Sequence, residues 1–217
     1  MHIPDGFLDA KVWVPSWAAA AGAIAFCSRR TSQILGEKKI PVMGVTAAFV
    51  FAAQMINFPV AGGTSGHLLG GAIAATLLGP CMGFMVITVV LAVQCLLFQD
   101  GGLTTLGANI MNMAFVGTVC VYPIIRAGSA VTRKRVGVVL GSALAAWVSV
   151  VAASLSCAFE LGISGTAPMA LVLPAMVGVH SIIGVGEAIV TGFFVGFLLG
   201  TKPDLVLGGT MQAIERS

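Results

Sequence analysis

Apolar stretches long enough to cross a lipid bilayer recur along the whole chain, and they constrain the fold more than any other feature. A helix rises about 1.5 Å per residue, so roughly 20 apolar residues span the hydrocarbon core. With 58% hydrophobic and only 9% charged residues, the chain cannot keep most of its surface in water. The alternating segments of a membrane β-barrel are not seen. The sequence therefore predicts an all-α integral membrane protein.

We predict seven transmembrane helices that form one membrane domain over residues 1–217. The third is short, and the last contains Pro174 and several glycines, which predict a kink, a break or a tilt. The predicted spans are 12–28, 41–59, 67–79, 81–98, 108–126, 136–159 and 169–199. An N-terminal segment, 1–11, precedes this bundle of 12–199, and residues 200–217 form a tail.

The cations lie in three segments, and their placement predicts the orientation of the bundle. Lysine and arginine accumulate in short cytoplasmic loops. Ten of the eleven cations follow the first, fifth or seventh span, and seven crossings bring those segments to one face. These ten are Arg29, Arg30, Lys38, Lys39, Arg126, Arg133, Lys134, Arg135, Lys202 and Arg216. We therefore expect the C-terminus to be cytoplasmic, and the N-terminus to lie outside with the loops 62–67 and 99–109.

The chain opens with Met-His-Ile-Pro-Asp-Gly, so an α-amine and an imidazole lie on adjacent residues. We expect no cleaved secretory signal, because two acids precede the first cation, Lys11. Met1 should be retained, because the aminopeptidase that removes it requires a small second residue. The Met1 amine, the His2 amide nitrogen and the His2 ring then form two fused chelate rings around one metal ion. Pro4 and the following Asp-Gly pair predict a turn that folds this terminus back.

A fourth nitrogen donor is available in the predicted outer loop, where His67 ends a glycine-rich stretch. Planar nitrogen coordination favours Ni²⁺ or Cu²⁺ over Zn²⁺, Mg²⁺ or Ca²⁺. The bound amide must lose its proton, which makes the affinity pH-dependent. Co²⁺ displaces that proton less readily and stays an alternative. From the residues alone, a frayed terminus without function competes with this metal site.

Three segments resemble the signatures of the NikM/CbiM family, the substrate-binding S-components of energy-coupling factor (ECF) transporters for nickel and cobalt. They are MHIPDGFL at the start, FPVAGGTSGHLLGG at 58–71 and LGANIMNMAFVG at 106–117. The resemblance covers essentially the whole chain and implies that Met1, His2 and His67 bind the metal. It also implies an added N-terminal helix beside a six-helix core, with the amino terminus inserted from outside.

The resemblance implies that the chain captures Ni²⁺, or alternatively Co²⁺, for an ATP-driven importer in the prokaryotic plasma (inner) membrane. No GxxxxGK[ST] loop is present, so we expect a transport subunit that is not itself an enzyme. The implied partners are two cytoplasmic ATPase subunits, a transmembrane coupling (T) subunit and a small accessory membrane protein, which we expect to be a separate chain. Ala48 and Ala52 match the small-residue face on which S-components dock to the coupling subunit.

Further polar residues lie near the predicted metal site. Asp5, Ser65, Asp100 and Asn109 are candidates for orienting the ligands. Turn formation, helix capping and solvation are competing roles for these side chains. The five cysteines lack CxxC spacing and are interpreted as small buried side chains.

Two ionisable residues, His180 and Glu187, fall inside the last predicted span. Intramembrane groups of this kind are functional candidates. His180 lies about 17 Å along the helix from Met169, which we interpret as far from the outer site. We therefore predict internal hydrogen bonding or a docking role for both residues, and not metal ligation.

Two other functions are weighed against metal capture. An intramembrane metalloenzyme is disfavoured because HExxH is absent and the three histidines lie in distant segments. A channel or secondary permease would need charged residues along a route through the membrane, and only His180 and Glu187 are available. No basic tract with interleaved aromatics is present, so nucleic acid is not an expected partner.

Overall fold

The structure is a computed structural model that describes residues 1–60, 64–132 and 135–209, and it is mostly helical. The helices are α1 (Ala10–Ile34), α2 (Lys39–Met55), α3 (Gly71–Leu78), α4 (Pro80–Phe98), α5 (Leu106–Asn109), α6 (Tyr122–Thr132), α7 (Arg135–Ile163) and α8 (Met169–Thr201). A π-helical segment, Ile110–Cys120, lies between α5 and α6, and a short 3₁₀ helix, Pro203–Gly209, follows α8. Two short strands, β1 (Phe58–Val60) and β2 (Thr64–Gly66), pair antiparallel.

Five helical stretches in the described part of the chain are long and apolar enough to cross a membrane. They are α1, α4, the continuous stretch Leu106–Thr132, α7 and α8. α2 is shorter, at 17 residues. α8 runs through Pro174 without interruption. The prediction of an integral membrane protein built from helices is thus confirmed.

The expected third span, 67–79, differs from the structure. Only α3 is helical there, and its eight residues extend about 12 Å, too little to cross the bilayer alone. The preceding residues are the strand Thr64–Gly66 and the non-helical stretch 67–70, and all of them are buried or half-buried. The chain therefore enters as a non-helical segment followed by a short helix, and the count of seven transmembrane helices is not confirmed.

The two ends of the bundle differ in composition. At one end, here called the site end, the N-terminal segment meets the loops 99–105 and 164–168, because Asp5 accepts hydrogen bonds from Leu103 and Thr104, and Thr166 donates to the Phe7 carbonyl. At the other, basic end, the end of α1 meets the start of α2 and the turn between α3 and α4. At this basic end the described cations Arg29, Arg30, Lys38, Lys39, Arg135 and Lys202 lie in or next to the end turns of helices, and Arg126 lies within α6. Arg133, Lys134, Arg216, part of the loop 62–67 and residues 210–217 of the predicted tail lie outside the described residues.

The core has two parts, one towards each end. The part at the site end joins Met1 and Ile3 to residues of α1, α4 and α7, so the N-terminal segment is itself a core element. α3 is buried along its entire length and forms the centre of the other part. Gly71 makes this possible, since a Cβ atom at this position would lie only 2.4 Å from the Gly117 carbonyl oxygen.

Candidate metal site

The first three residues are inserted into the bundle and held there by a clamp on Ile3. Met1 and Ile3 are 0% exposed and His2 is 3% exposed. Oδ1 of Asn109 accepts from the Ile3 amide at 2.9 Å, and Nδ2 donates to the Ile3 carbonyl at 3.2 Å. That carbonyl also accepts from the Gly102 amide at 2.9 Å and from Oγ1 of Thr105 at 2.5 Å. All polar backbone groups of Ile3 are thus paired, which offsets the cost of burying them.

Asp5 fixes the predicted turn to the loop that follows α4. The turn forms at Asp5–Gly6, where Gly6 has a φ of 82°. Oδ2 of Asp5 accepts from the Leu103 amide at 3.0 Å, and Oδ1 accepts from the amide of Thr104 at 2.7 Å and from its hydroxyl at 2.5 Å. The Thr104 hydroxyl is the main cause that lowers the pKa of Asp5. Asp5 therefore anchors the N-terminal segment and makes no described hydrogen bond to a histidine ring.

The Met1 amine and the His67 ring meet directly. The amine nitrogen lies 3.1 Å from Nε2 of His67 and 3.0 Å from Oγ of Ser65, and it donates to the Ser65 carbonyl. Nδ1 of His67 lies 2.8 Å from the Leu68 carbonyl oxygen. Because a carbonyl only accepts, Nδ1 carries the proton and Nε2 presents its lone pair to the amine. This tautomer is the one that a metal ligand at Nε2 requires.

The His2 ring is oriented by a glutamine within α4. Nε2 of His2 lies 3.1 Å from Oε1 of Gln94, so Nε2 carries the proton and Nδ1 has the lone pair. Nδ1 is buried and has no hydrogen-bond partner within residues 1–60, 64–132 and 135–209, although it lies 3.3 Å from Oδ1 of Asp100. In a chelate with the Met1 amine and the His2 amide, Nδ1 is the ring nitrogen that closes the six-membered ring. The unpaired nitrogen is thus the one that the chelate uses.

Burial makes the three nitrogen groups neutral at physiological pH. Desolvation lowers the pKa of the Met1 amine from 8.0 to about 5. Desolvation, with a smaller contribution from the nearby amine, lowers the pKa of His2 from 6.5 to about 3. The pKa of His67 is lowered well below its usual value, also chiefly by burial. Protons therefore do not compete with a cation at these three groups near pH 7.

Burial has the opposite effect on Asp100: it raises the pKa of this carboxyl group, and the nearby amino terminus makes only a smaller, lowering contribution. Its side chain remains 19% exposed, at the edge of the site. An ionised Asp100 would place a negative charge close to Nδ1 of His2, where a bound cation would lie. The carboxylate is therefore suited to balance the charge of the ion.

The donors are close enough to share one ion. Metal–nitrogen bonds of about 2.0 Å place adjacent donors of a square plane about 2.8 Å apart, and the Met1 amine lies 3.1 Å from Nε2 of His67. The rings of His2 and His67 have centroids 4.7 Å apart. In the part of the chain that the structure describes, no group of three or more His, Cys, Asp or Glu side chains could hold a metal. A site here thus depends on the main-chain nitrogens of Met1 and His2.

The structure brings most of the predicted orienting residues to this site. Ser65 contacts the amine and lies with its Oγ 3.3 Å from the His2 amide nitrogen. Asn109 pairs with the backbone of Ile3, the residue that follows His2. Sequence reasoning missed Gln94, and the only signal available was an amide within an apolar span. Ala48 and Ala52 are exposed on α2, away from the site.

α8 lies directly behind the segment that carries His67. Glu187 accepts from the amides of Leu69 and Gly70 at 2.5 and 2.9 Å, so its predicted internal hydrogen bonding is confirmed. Nδ1 of His180 lies 2.8 Å from the Met176 carbonyl oxygen. However, His180 is not far from the site, because Met176, one turn earlier on α8, accepts a hydrogen bond from Oγ1 of Thr64, three residues before His67. The distance was misjudged because the ligand segments enter the bundle and do not stay at its surface.

Comparison with known proteins places these observations in a family context. Residues 2–205 match the CbiM family model, described as the cobalt uptake substrate-specific transmembrane region. The chain is 36% identical over 208 residues to a putative fused nickel transport protein NikMN of Archaeoglobus fulgidus, covering 95% of this chain and 68% of that protein. It is 33% identical over 222 residues to the cobalt transport protein CbiM of Geobacter sulfurreducens, covering 95% of this chain and 61% of that protein. A crystal structure described as a transition metal transporter superposes with a TM-score of 0.87 at 31% identity, covering 100% of both chains.

Proposed function

The chain belongs to the CbiM family of substrate-specific transmembrane regions for metal uptake, and we propose that it captures Ni²⁺ as the S-component of an ECF-type importer. One observation carries this proposal. The Met1 amine, the unpaired Nδ1 of His2 and the lone pair of His67 Nε2 converge in one buried place. These groups, with the His2 amide nitrogen, make up a four-nitrogen donor set.

In the proposed complex the ion lies in the plane of these four nitrogens. The Met1 amine is adjacent to the His2 amide and to His67, and opposite Nδ1 of His2. Gln94 and the Leu68 carbonyl hold the two rings in the ligating tautomers, as partners of metal-bound histidines commonly do. Ser65, Asp100 and Asn109 orient the ligands or balance the charge.

Nickel is preferred over cobalt because a planar nitrogen set with a deprotonated amide favours Ni²⁺. Relatives carry both names, since nickel transport is named for the protein of Archaeoglobus fulgidus and cobalt transport for that of Geobacter sulfurreducens. Co²⁺ is therefore the alternative cargo.

The site end is proposed to face outward. The described cations at the basic end support this orientation, because lysine and arginine accumulate on the cytoplasmic side. Ions would then enter from outside, and the C-terminus would lie in the cytoplasm of a prokaryotic cell whose plasma (inner) membrane contains the transporter. The added N-terminal helix is α1, which carries the chelating residues at its outer end.

Transport itself is assigned to partners. We propose two cytoplasmic ATPase subunits, a transmembrane coupling subunit and a small accessory membrane protein, with the chain acting as a subunit that does not hydrolyse ATP. The exposed small residues Ala48 and Ala52 on α2 are the proposed docking positions for the coupling subunit.

The test is nickel binding to the purified chain by titration calorimetry. One variant carries His2→Gln, which removes the ring nitrogen while its large second residue keeps Met1 in place, and a second carries His67→Ala. Both should lose at least about 100-fold in affinity, because each removes one of four ligands. Leu103→Ala is the matched control, since this loop side chain is 55% exposed at the same end and should leave binding unchanged. Unchanged affinity in either ligand variant would refute the proposed site.

Two further measurements test the identity of the cargo and the importer mechanism. Loading in a mixture of Ni²⁺, Co²⁺ and Cu²⁺, followed by metal analysis, should recover nickel, and preferential retention of cobalt would overturn that choice. Liposomes that contain the chain alone should take up metal slowly or not at all. Rapid uptake without ATPase subunits would exclude the importer proposal.

A further inference from the structure

His180 on α8 has a buried imidazole nitrogen without a described use. The residue is 0% exposed. Because Nδ1 donates to the Met176 carbonyl at 2.8 Å, Nε2 carries the lone pair. Among the described residues, Nε2 has no hydrogen-bond partner, and although the Ser65 backbone is close, its carbonyl cannot donate to a lone pair. Buried polar atoms are rarely left unpaired, so this nitrogen requires an explanation.

The position of His180 along α8 places its ring behind the proposed metal site. One turn earlier, Oγ1 of Thr64 donates to Sδ of Met176 at 3.0 Å. Nearly one turn later, Ile183 packs closely on Gly66. A Cβ atom added to Gly66 would lie 2.9 Å from Cδ1 of Ile183. His180 therefore lies between two contacts with β2, the strand that leads directly into His67.

A buried planar complex poses a kinetic difficulty that His180 can relieve. Square-planar nickel complexes exchange ligands when a fifth donor attacks the metal from above or below the plane. In solution, water usually supplies that donor. Here Met1 is 0% and His67 1% exposed, so bulk water has little access to the ligand nitrogens.

On the basis of the proposed function, we propose that Nε2 of His180 is the incoming fifth donor through which nickel enters and leaves the planar site. A bond forms between this nitrogen and the ion, and the bond to the His2 amide breaks. One proton returns to the amide nitrogen from the Ser65 hydroxyl, whose oxygen lies 3.3 Å away, and the half-buried serine oxygen takes a proton from a solvent water, which leaves as hydroxide. Entry of nickel follows the same steps in reverse. No electron is transferred, and the ion remains Ni²⁺.

This role differs from ligation in the resting complex, and so it predicts a distinct signature. An exchange donor accelerates loading and unloading equally, and it leaves the equilibrium affinity nearly unchanged. A merely structural histidine would affect folding or affinity, and any residue that fills its place should restore function.

The experiment measures release of Ni²⁺ from the purified, loaded chain into excess EDTA by stopped-flow absorbance. His180→Asn, which has no imidazole lone pair, should slow release about tenfold or more, while the dissociation constant changes less than about threefold. His180→Met, whose neutral thioether sulfur has a lone pair and nearly the reach of the ring nitrogen, should keep release nearer to the wild-type rate than the asparagine variant does. Thr191→Val is the matched control, because this residue is also fully buried on α8 with an unpaired oxygen.

The outcomes separate this inference from the proposed function. Wild-type release rates in His180→Asn would overturn the exchange role, and so would equally slow release in His180→Asn and His180→Met. A wild-type chain that binds no nickel would overturn both proposals. Thermal unfolding of each variant checks folding, and His180→Gln replaces the asparagine variant if that one fails to fold.

Discussion

Nickel binding should release about one proton per ion near pH 7, although four nitrogens take part. The pH of the titration is varied, and the expected number of released protons follows from the burial of the ligand nitrogens. With pKa values of about 5 for the Met1 amine and about 3 for His2, and a strongly lowered pKa for His67, these three groups hold almost no protons at pH 7. Only the amide of His2 then loses a proton when nickel binds.

The same nitrogens with ordinary pKa values would behave differently. An amine at 8.0 and two rings at 6.5 would bring the release to about 2.4 protons at pH 7. The affinity of the buried site should accordingly rise about tenfold per pH unit between pH 7 and 8, because its slope equals the number of protons released. The pKa of Asp100 is raised, and this carboxyl group would release a proton only if its pKa came close to the pH of the titration. The range from pH 7 to 8 is chosen for this reason.

Calorimetry in buffers of different ionisation enthalpy counts these protons. A free peptide of residues 1–8 is the matched control, since it presents the same amine, amide and first ring in water, and it should release about two protons at pH 7. A release of two or more protons from the intact protein would refute the conclusion that its ligand nitrogens are buried and neutral.

Two further predictions concern the residues that hold the site and the bundle. Gln94→Leu removes the partner of His2 Nε2, and we expect a loss of about 10- to 100-fold in nickel affinity by calorimetry, whereas unchanged affinity would exclude an orienting role. Gly71→Ala should lower the thermal unfolding midpoint in detergent, because its Cβ would lie 2.4 Å from the Gly117 carbonyl oxygen, at a cost of about 1–3 kcal/mol. Gly178→Ala is the control, since no neighbouring atom lies within 4 Å of its added Cβ, and an equal loss of stability there would contradict the packing argument.

The helical membrane class and the meeting of Met1 with His67 were both predictable from the sequence. Long apolar runs leave few alternatives to helices in lipid. A turn at Asp5–Gly6 directs the terminus back by local preference alone, and the structure contains that turn. The amine and the His67 ring then meet within 3.1 Å. Features that depend on a few neighbouring residues could therefore be predicted from the sequence.

The segment 67–79 shows where hydropathy becomes ambiguous. An apolar run has the same sequence pattern whether lipid or protein surrounds it. A short run also does not distinguish a helix from an extended strand. In the structure, α3 is buried entirely within protein, and Glu187 and Gln54 pair with the backbone of the non-helical residues Leu69 and Gly70. Those partners lie 15 or more residues away in sequence, and so local pattern could not reveal them.

The net charge of the site with nickel bound indicates that Asp100 balances that charge. A divalent ion that binds a deprotonated amide and three neutral nitrogens has a net charge of +1. An isolated buried charge is costly unless a partner compensates it. Oδ1 of Asp100 lies 3.3 Å from Nδ1 of His2, next to the proposed ion, and its partial exposure keeps it near water. With Asp100 ionised, the occupied site would be neutral as a whole. The site also excludes monovalent cations, because they cannot displace the proton of the His2 amide.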